Sequence, residues 1–225
     1  MFKSKYSNFL TIVLIIAIIF VIALVSVLAV GAYKRHKSDK DAENAISKFE
    51  NNIEQNTNTN TNTSGEGLIE QNIVKPDTSG NTTSEEGTRQ VTYYNNFVMI
   101  GYIEIPKISI RYPILEKETV ASLEQSVAVR YPDNPKLNEP GNVVIAGHNY
   151  RNGQFFSNLK NVSTGDIIKI TDTTGKTLSY TIYEKYETTA EDVAYITRNT
   201  GGNTEITLVT CTDDSNARIV VKAKV

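Results

Sequence analysis

The sequence predicts an all-β domain, a closed barrel or a sandwich, carried behind an N-terminal membrane anchor and a polar tether. Three observations carry this. Short strand-like runs follow one another between residues 97 and 225 with little helix between them. An uncharged, strongly apolar run fills the chain from Tyr6 to Tyr33. Between the two lies a stretch dominated by Asn, Thr, Ser, Gly and Glu.

The first element is the anchor. FLTIVLIIAIIFVIALVSVLAV at 9–30 exceeds the roughly 20 apolar residues a helix needs to span a bilayer. It is also longer than the apolar part of a cleaved signal peptide, about 7–15 residues. Val27–Leu28–Ala29–Val30 is a poor small-residue cleavage site. These features predict an uncleaved span over residues 9–33, with residues 1–8 before it. Lys3 and Lys5 precede the span, and Lys34, Arg35, Lys37 and Lys40 follow it. Counted by the positive-inside rule, these charges slightly favour placing the long C-terminal part in the cytoplasm.

Residues 34–91 form a stalk and linker. In DKDAENAISKFENNIEQ, residues 39–55, Ala42, Ile46, Phe49 and Ile53 recur at helical spacing. This predicts a short helix, free-standing or packed on the domain. NTNTNTNT at 56–63 opens a polar tract that reaches Gln90. Such composition buries too little apolar surface to offset ordering entropy, so 56–90 reads as a flexible tether.

The compact domain covers residues 92–225, long enough for a real core. Its strands are expected at Phe97–Ile105, Lys107–Leu115, Val127–Arg130, Asn142–Ala146, Asp166–Thr171, Lys176–Lys185, Glu205–Cys211 and Arg218–Val225. Pro106 separates the first two and marks an edge, a bulge or a break. YPDNP and NEPG supply turns around the short middle strands. Asp-Thr-Thr-Gly at 172–175 is a hairpin signal. Short helical pieces are expected at Val120–Gln125 and near Phe155–Leu159.

A net charge of −2 and the lack of a basic stripe argue against nucleic acid as a partner. The chain has one cysteine and two histidines. One cysteine cannot form an intramolecular disulfide, so outside the cell it is an intermolecular bridge or a reactive thiol. Structural zinc needs three or four ligands, more than Cys211 and His148 supply. His36 lies among basic residues next to the anchor, where no specific role is expected.

The chemistry concentrates in EITLVTCTDDSNARIVV, residues 205–221. Cys211 ends one strand, Arg218 starts the next, and TDDSNA joins them. If the strands pair, opposed side chains lie roughly 5 Å apart. A guanidinium there stabilises a thiolate, or the anion formed when that thiolate attacks a carbonyl. Arginine does so without losing its proton. The plainer alternative is a small buried cysteine and an exposed strand charge. His148, in NVVIAGHNY, leaves a strand where loops begin and suits a proton donor for a leaving group. Taken alone, a lone histidine is more often structural.

These segments resemble the sortases, the membrane-anchored cysteine transpeptidases of Gram-positive bacteria. TLVTC at 207–211 has the family's TLxTC form. RIVVKAKV at 218–225 resembles the strand that begins with the catalytic arginine, and PGNVVIAGHN at 140–149 the segment with the catalytic histidine. GYIEIPKISIRYPI at 101–114 resembles the opening strands. The resemblance implies a closed eight-stranded β-barrel outside the cell and facing the cell wall, with Met1 in the cytoplasm. It implies that Cys211 attacks the threonine carbonyl of an LPxTG-like sorting signal on a surface protein and forms a thioester. His148 would protonate the departing amine, and Arg218 would hold the substrate or the oxyanion. Thr210 would line the substrate groove and Asn149 would contact substrate. An amine of a peptidoglycan precursor or a pilin lysine would resolve the thioester.

No cofactor is required by this chemistry. Some class A members use calcium, and Glu116, Glu118, Asp133, Glu139, Glu191 and Asp192 are the acidic residues to consider, though solvated charges are the simpler reading. Subclass stays open. The stretch from about Glu187 to Thr204 is short for class B, and no DPF-type lid motif precedes the domain. The competing functions are a hydrolytic surface cysteine peptidase, a pilin-polymerising sortase and a non-enzymatic surface β-domain.

Overall fold

The computed structural model describes residues 5–61 and 91–225, so most of the expected tether lies outside the described residues. The chain falls into two units, Met1–Asp41 and Ala42–Val225. Helix α1, Lys5–Thr61, supplies the first unit and the beginning of the second. In the first unit its apolar side chains are exposed, Ile16 at 61% and Phe20 at 69% among them. Among the described residues one helix is long and apolar enough to cross a membrane.

In the second unit the predicted stripe packs on the domain. Ala42, Ile46 and Phe49 are buried, and Ile46 and Phe49 cluster with Met99 and Tyr102. Polar contacts frame this seam. Arg111 reaches Glu43 and Glu50, the latter at 2.6 Å, and its guanidinium lies 4.7 Å above the Tyr102 ring. Tyr102 donates its hydroxyl to Glu50 at 2.8 Å. The helix continues to Thr61, six residues into the tract expected to be tether. Once nucleated, a helix extends at one hydrogen bond per residue, so weak formers can prolong it.

The strands are β1 Thr92–Tyr94, β2 Phe97–Ile105, β3 Ile110–Leu115, β4 Val127–Tyr131, β5 Gly141–Ala146, β6 Ile167–Asp172, β7 Thr177–Thr189, β8 Thr204–Cys211 and β9 Ala217–Lys224. They are hydrogen-bonded in the order β1-β2-β3-β4-β5-β8-β9-β7-β6. Residues 101–104 of β2 then pair with 169–172 of β6 and close eight strands into a barrel. At the closure Gly101 follows a bulge, and a Cβ there would run into the Thr171 carbonyl. A glycine is what such a close backbone approach requires.

β1 is the ninth strand and was not among the expected ones. It forms a short hairpin on β2 through Asn95 and Asn96, both at positive φ (47° and 69°). Asparagine tolerates that conformation better than most residues. The second strand begins at Ile110 rather than Lys107. Pro106–Ile108 form a 3-10 turn that ends at Ser109 in the left-handed region, φ 52°. Helix α2, Val120–Leu123, is where a short helix was expected, with a capping box between Thr119 and Ser122. The second expected helical piece appears as a 3-10 turn at Leu159–Asn161. Side chains such as Ile103, Ile114, Ile145, Leu208 and Val221 fill the barrel interior.

Candidate active site

The site is assembled by strand register. β8 and β9 are antiparallel, and their last pair is Cys211 with Arg218. The loop between them is held by its own polar side chains. The Thr212 amide donates to the Ala217 carbonyl at 3.0 Å, and the Thr212 hydroxyl donates to Asp214. β5 lies parallel to β8 on the other side, and their last pair is Ala146 with Val209. Two residues further along each chain come His148 and Cys211. Neighbouring strands are about 4.8 Å apart. The three predicted residues are therefore brought to one end of the barrel, on adjacent strand ends.

Several contacts fix the histidine segment. The Gly147 amide donates to the Val209 carbonyl at 3.1 Å, and the Thr210 hydroxyl donates to the Gly147 carbonyl at 2.7 Å. Gly147 has no space for a Cβ, which would sit 2.7 Å from the Phe156 ring. The Phe156 amide donates to the His148 carbonyl at 3.1 Å. The imidazole lies beside the Tyr150 ring, with centroids 5.0 Å apart and planes tilted by 36°.

Asn149 ties this segment to the cysteine loop. Its side-chain amide donates to the Cys211 carbonyl and to Asp213, each at 3.0 Å. Asp213 also accepts from Lys160. The Lys160 hydrogen bond, with that of Asn149, holds the Asp213 carboxyl below its ordinary pKa. No local pattern signals this bridge, because Asp213 lies more than fifty residues beyond both Asn149 and Lys160.

Cys211 is a free thiol, half-buried at the end of β8. Arg218 is half-buried, and its Nη1 donates to the Ala217 carbonyl at 3.0 Å and towards that of Ser215 at 3.5 Å. Thr210 departs from expectation. It is 3% exposed, and its hydroxyl is engaged with Gly147, so it clamps β8 to the end of β5 instead of lining a groove. Alternation explains this. Thr210 shares its parity with Leu208, which points into the barrel, and Cys211 has the opposite parity. That rule, applied to TLVTC, would have placed both side chains.

A cavity of about 310 Å³ opens beside His148, with Glu116, Glu118, Val129, Arg130 and Asp133 in its wall. Glu118 makes a two-pronged ion pair with Arg130, at 2.6 and 2.7 Å. That contact, together with Tyr195, pushes the Arg130 pKa further up. The cavity wall does not include Cys211.

Two of the acidic residues considered for calcium have partners within the chain. Glu118 is engaged by Arg130, and Asp192 accepts from the Thr188 hydroxyl and the Ala194 amide. Among the described residues, no group of three or more His, Cys, Asp or Glu is arranged around a common point. The segment between β7 and β8 is shorter than expected, because β7 itself runs to Thr189. The segment is anchored by Tyr195, 2% exposed, which packs with Val144, Ala146, Val209 and Val220. The Asn142 side chain donates to the carbonyls of Tyr195 and Ile196.

The Sortase domain family model matches residues 103–225. Two curated relatives are similar. Sortase A of Bacillus anthracis is 32% identical over 126 residues, covering 55% of this chain and 58% of its own length. Sortase A of Streptococcus agalactiae serotype III (strain NEM316) is 31% identical over 139 residues, covering 59% and 55%. The chain thus spans little more than half the length of these relatives. Among solved structures, a lid mutant of Sortase A from Corynebacterium diphtheriae superposes with a TM-score of 0.51 at 31% identity, over 56% of this chain and 69% of that one. A Clostridium perfringens Sortase D5 transpeptidase superposes with a TM-score of 0.57 at 24% identity, over 82% and 98%. The second likeness speaks to the fold alone.

Proposed function

Because the chain belongs to the sortase family, we propose that it is a cysteine transpeptidase that joins surface proteins to a cell-wall amine. The observation that carries this reading is the register. Cys211 pairs with Arg218, and His148 stands two residues beyond the β5 residue level with Val209. Sulfur, imidazole and guanidinium come from three strand ends at one rim.

The reaction has two acyl transfers. The Cys211 thiolate attacks the carbonyl carbon of threonine in an LPxTG-like sorting signal. The carbonyl oxygen takes the negative charge, and Arg218, always protonated, steadies it. The C–N bond to the next residue breaks as His148 gives its proton to the departing amine. A thioester remains, and one hard amide exchange has become two easier steps. An incoming primary amine then attacks the thioester carbonyl and passes a proton to His148. A new amide forms, and Cys211 leaves as thiolate. Asn149 holds the histidine and cysteine segments in mutual register. No step needs a cofactor.

The apolar part of α1 suits a single-pass anchor over residues 9–33. In this reading Met1 lies in the cytoplasm and the barrel faces the wall, against the simple count of flanking charges. Asp39 and Asp41 lie among those charges, and such counting captures their effect poorly. The acceptor amine decides between transpeptidase and hydrolase. With an LPxTG-like peptide alone, the product is the acid ending in threonine. Added glycine peptide diverts it to the amide. Product that remains acid at every amine concentration assigns a hydrolytic peptidase instead.

A further inference from the structure

A catalytic base is ordinarily oriented by a hydrogen bond from one of its own atoms to a third group. His148 has no such bond. Among the described residues, neither ring nitrogen of His148 has a hydrogen-bond partner. Glu116, Glu118 and Asp133 share a cavity wall with it, and none of them forms an ion pair with it. The contact its ring does make is with Tyr150, at 5.0 Å between centroids and 36° between planes.

The Tyr150 ring ends a stack that starts in the core. Tyr112, on β3, and Phe155 are both buried, and their rings meet edge to face at 5.2 Å. Phe155 lies 5.8 Å from Tyr150, with the planes tilted by 49°. All three separations suit aromatic pairs. Tyr150 itself is 44% exposed, so burial does not account for a ring held between Phe155 and His148.

The backbone is strained to build this stack. Phe155 has φ 49°, in the left-handed region, which is unfavourable for a bulky residue. Such strain persists only where the surroundings over-determine it. Here they do. Asn149 and Phe155 form an isolated antiparallel bridge, and the Phe156 amide donates to the His148 carbonyl at 3.1 Å. The Tyr150 amide donates to the Ser157 hydroxyl at 3.0 Å, and that hydroxyl donates to the Gln154 carbonyl at 2.7 Å. The segment after His148 is thereby folded back, and Phe155 is pressed behind Tyr150.

We propose that Tyr150 is a positioning residue for His148: its ring, braced by Phe155, sets the plane of the imidazole and holds it through the proton transfers. This rests on the transpeptidase reading above. A ring face attracts a cation within about 6 Å of its centroid, so the contact holds when His148 carries its proton. An aromatic neighbour also leaves both ring nitrogens open to the departing and incoming amines, which a hydrogen-bonded orienting group would not.

The test is histidine-selective NMR of the full chain in detergent micelles, with acylation rates for an LPxTG-like peptide on the same samples. The chain has two histidines, and His36 serves as the internal reference. The Tyr150 ring current should displace the His148 ring-proton signals. Tyr150→Phe should keep that displacement and acylate like wild type. Tyr150→Ala should lose it and slow acylation at saturating peptide about two- to tenfold, the worth of an aromatic pair, with the KM for peptide unchanged. If Tyr150→Ala does not fold, Tyr150→Leu keeps bulk over Phe155 without a π-face, and the same two readings apply. A lost displacement with an unchanged rate overturns the proposal, as does a displacement that survives Tyr150→Ala. A raised KM with an unchanged saturating rate makes Tyr150 a substrate contact and also overturns it. So does a Tyr150→Phe variant as slow as Tyr150→Ala, since the hydroxyl would then be the active group. A wild-type chain that never forms a thioester defeats the transpeptidase reading itself, and the His148 signals still report whether the ring holds the imidazole.

Discussion

At the scale of residues, the site depends on parity and register more than on sequence proximity. Cys211 escapes the barrel interior because it has the opposite parity to Leu208 and Thr210. His148 escapes because β5 stops at Ala146. Replacing His148 with Ala should slow acyl transfer by about 10²–10⁴-fold, the usual worth of a positioned acid–base group. Arg218→Lys should also be severely impaired in single-turnover acylation, because lysine lacks the planar fork. The residues proposed to carry the chemistry were chosen from their types and order in the sequence, and strand register brings them to one end of the barrel. The supporting contacts were not legible there: the link from Asn149 to Cys211 and Asp213 depends on loop geometry that no local pattern encodes. Asp213 gives this link a pH dependence. Its folded pKa is depressed by Lys160 and Asn149, so its contribution to stability is present above the unfolded carboxylate pKa, about 3.9. It is lost as pH falls through the lower, folded value. Melting curves of wild type and Asp213→Asn should therefore differ slightly at neutral pH and converge in acid. The difference is small because the pair is exposed.

At the scale of elements, eight of the nine strands were legible because Val, Ile and Tyr runs are bounded by clear turn residues. The ninth, Thr92–Tyr94, is three residues long, too short to show a period. Pro106 correctly marked a break, but the direction of the break, a 3-10 turn with Ser109 left-handed, follows from packing. The apolar stripe of the stalk was visible, and its partner was not. Tyr102 covers Ile46 and Phe49 from the outer face of β2, and Met99, of opposite parity, joins it there across the bulge between Met99 and Gly101. Phe49 is 2% exposed. Phe49→Ala should cost about 3–5 kcal/mol, the usual range for a buried phenylalanine. Chemical denaturation of a fragment that begins at the stalk would measure it, and a loss below 1 kcal/mol would mean that the helix does not contribute to the fold.

At the scale of the whole molecule, an apolar helix, a polar tract and a barrel follow one another along the sequence, and the barrel's closure depends on residues distant in that sequence. The pairing of residues 101–104 with 169–172 joins strands about seventy residues apart, and long-range pairing of this kind has no local signature. Cys211, His148 and Arg218 are gathered by the adjacent strands β5, β8 and β9, and the β5–β8 pair is itself long-range. The most direct measurement is mass spectrometry of the intact protein after incubation with an LPxTG-like peptide. The account predicts one adduct on Cys211, with the mass of the peptide truncated after threonine, and none on Cys211→Ala. A folded protein whose sulfur stays unmodified across a broad panel of such peptides, or an adduct that survives Cys211→Ala, would contradict it.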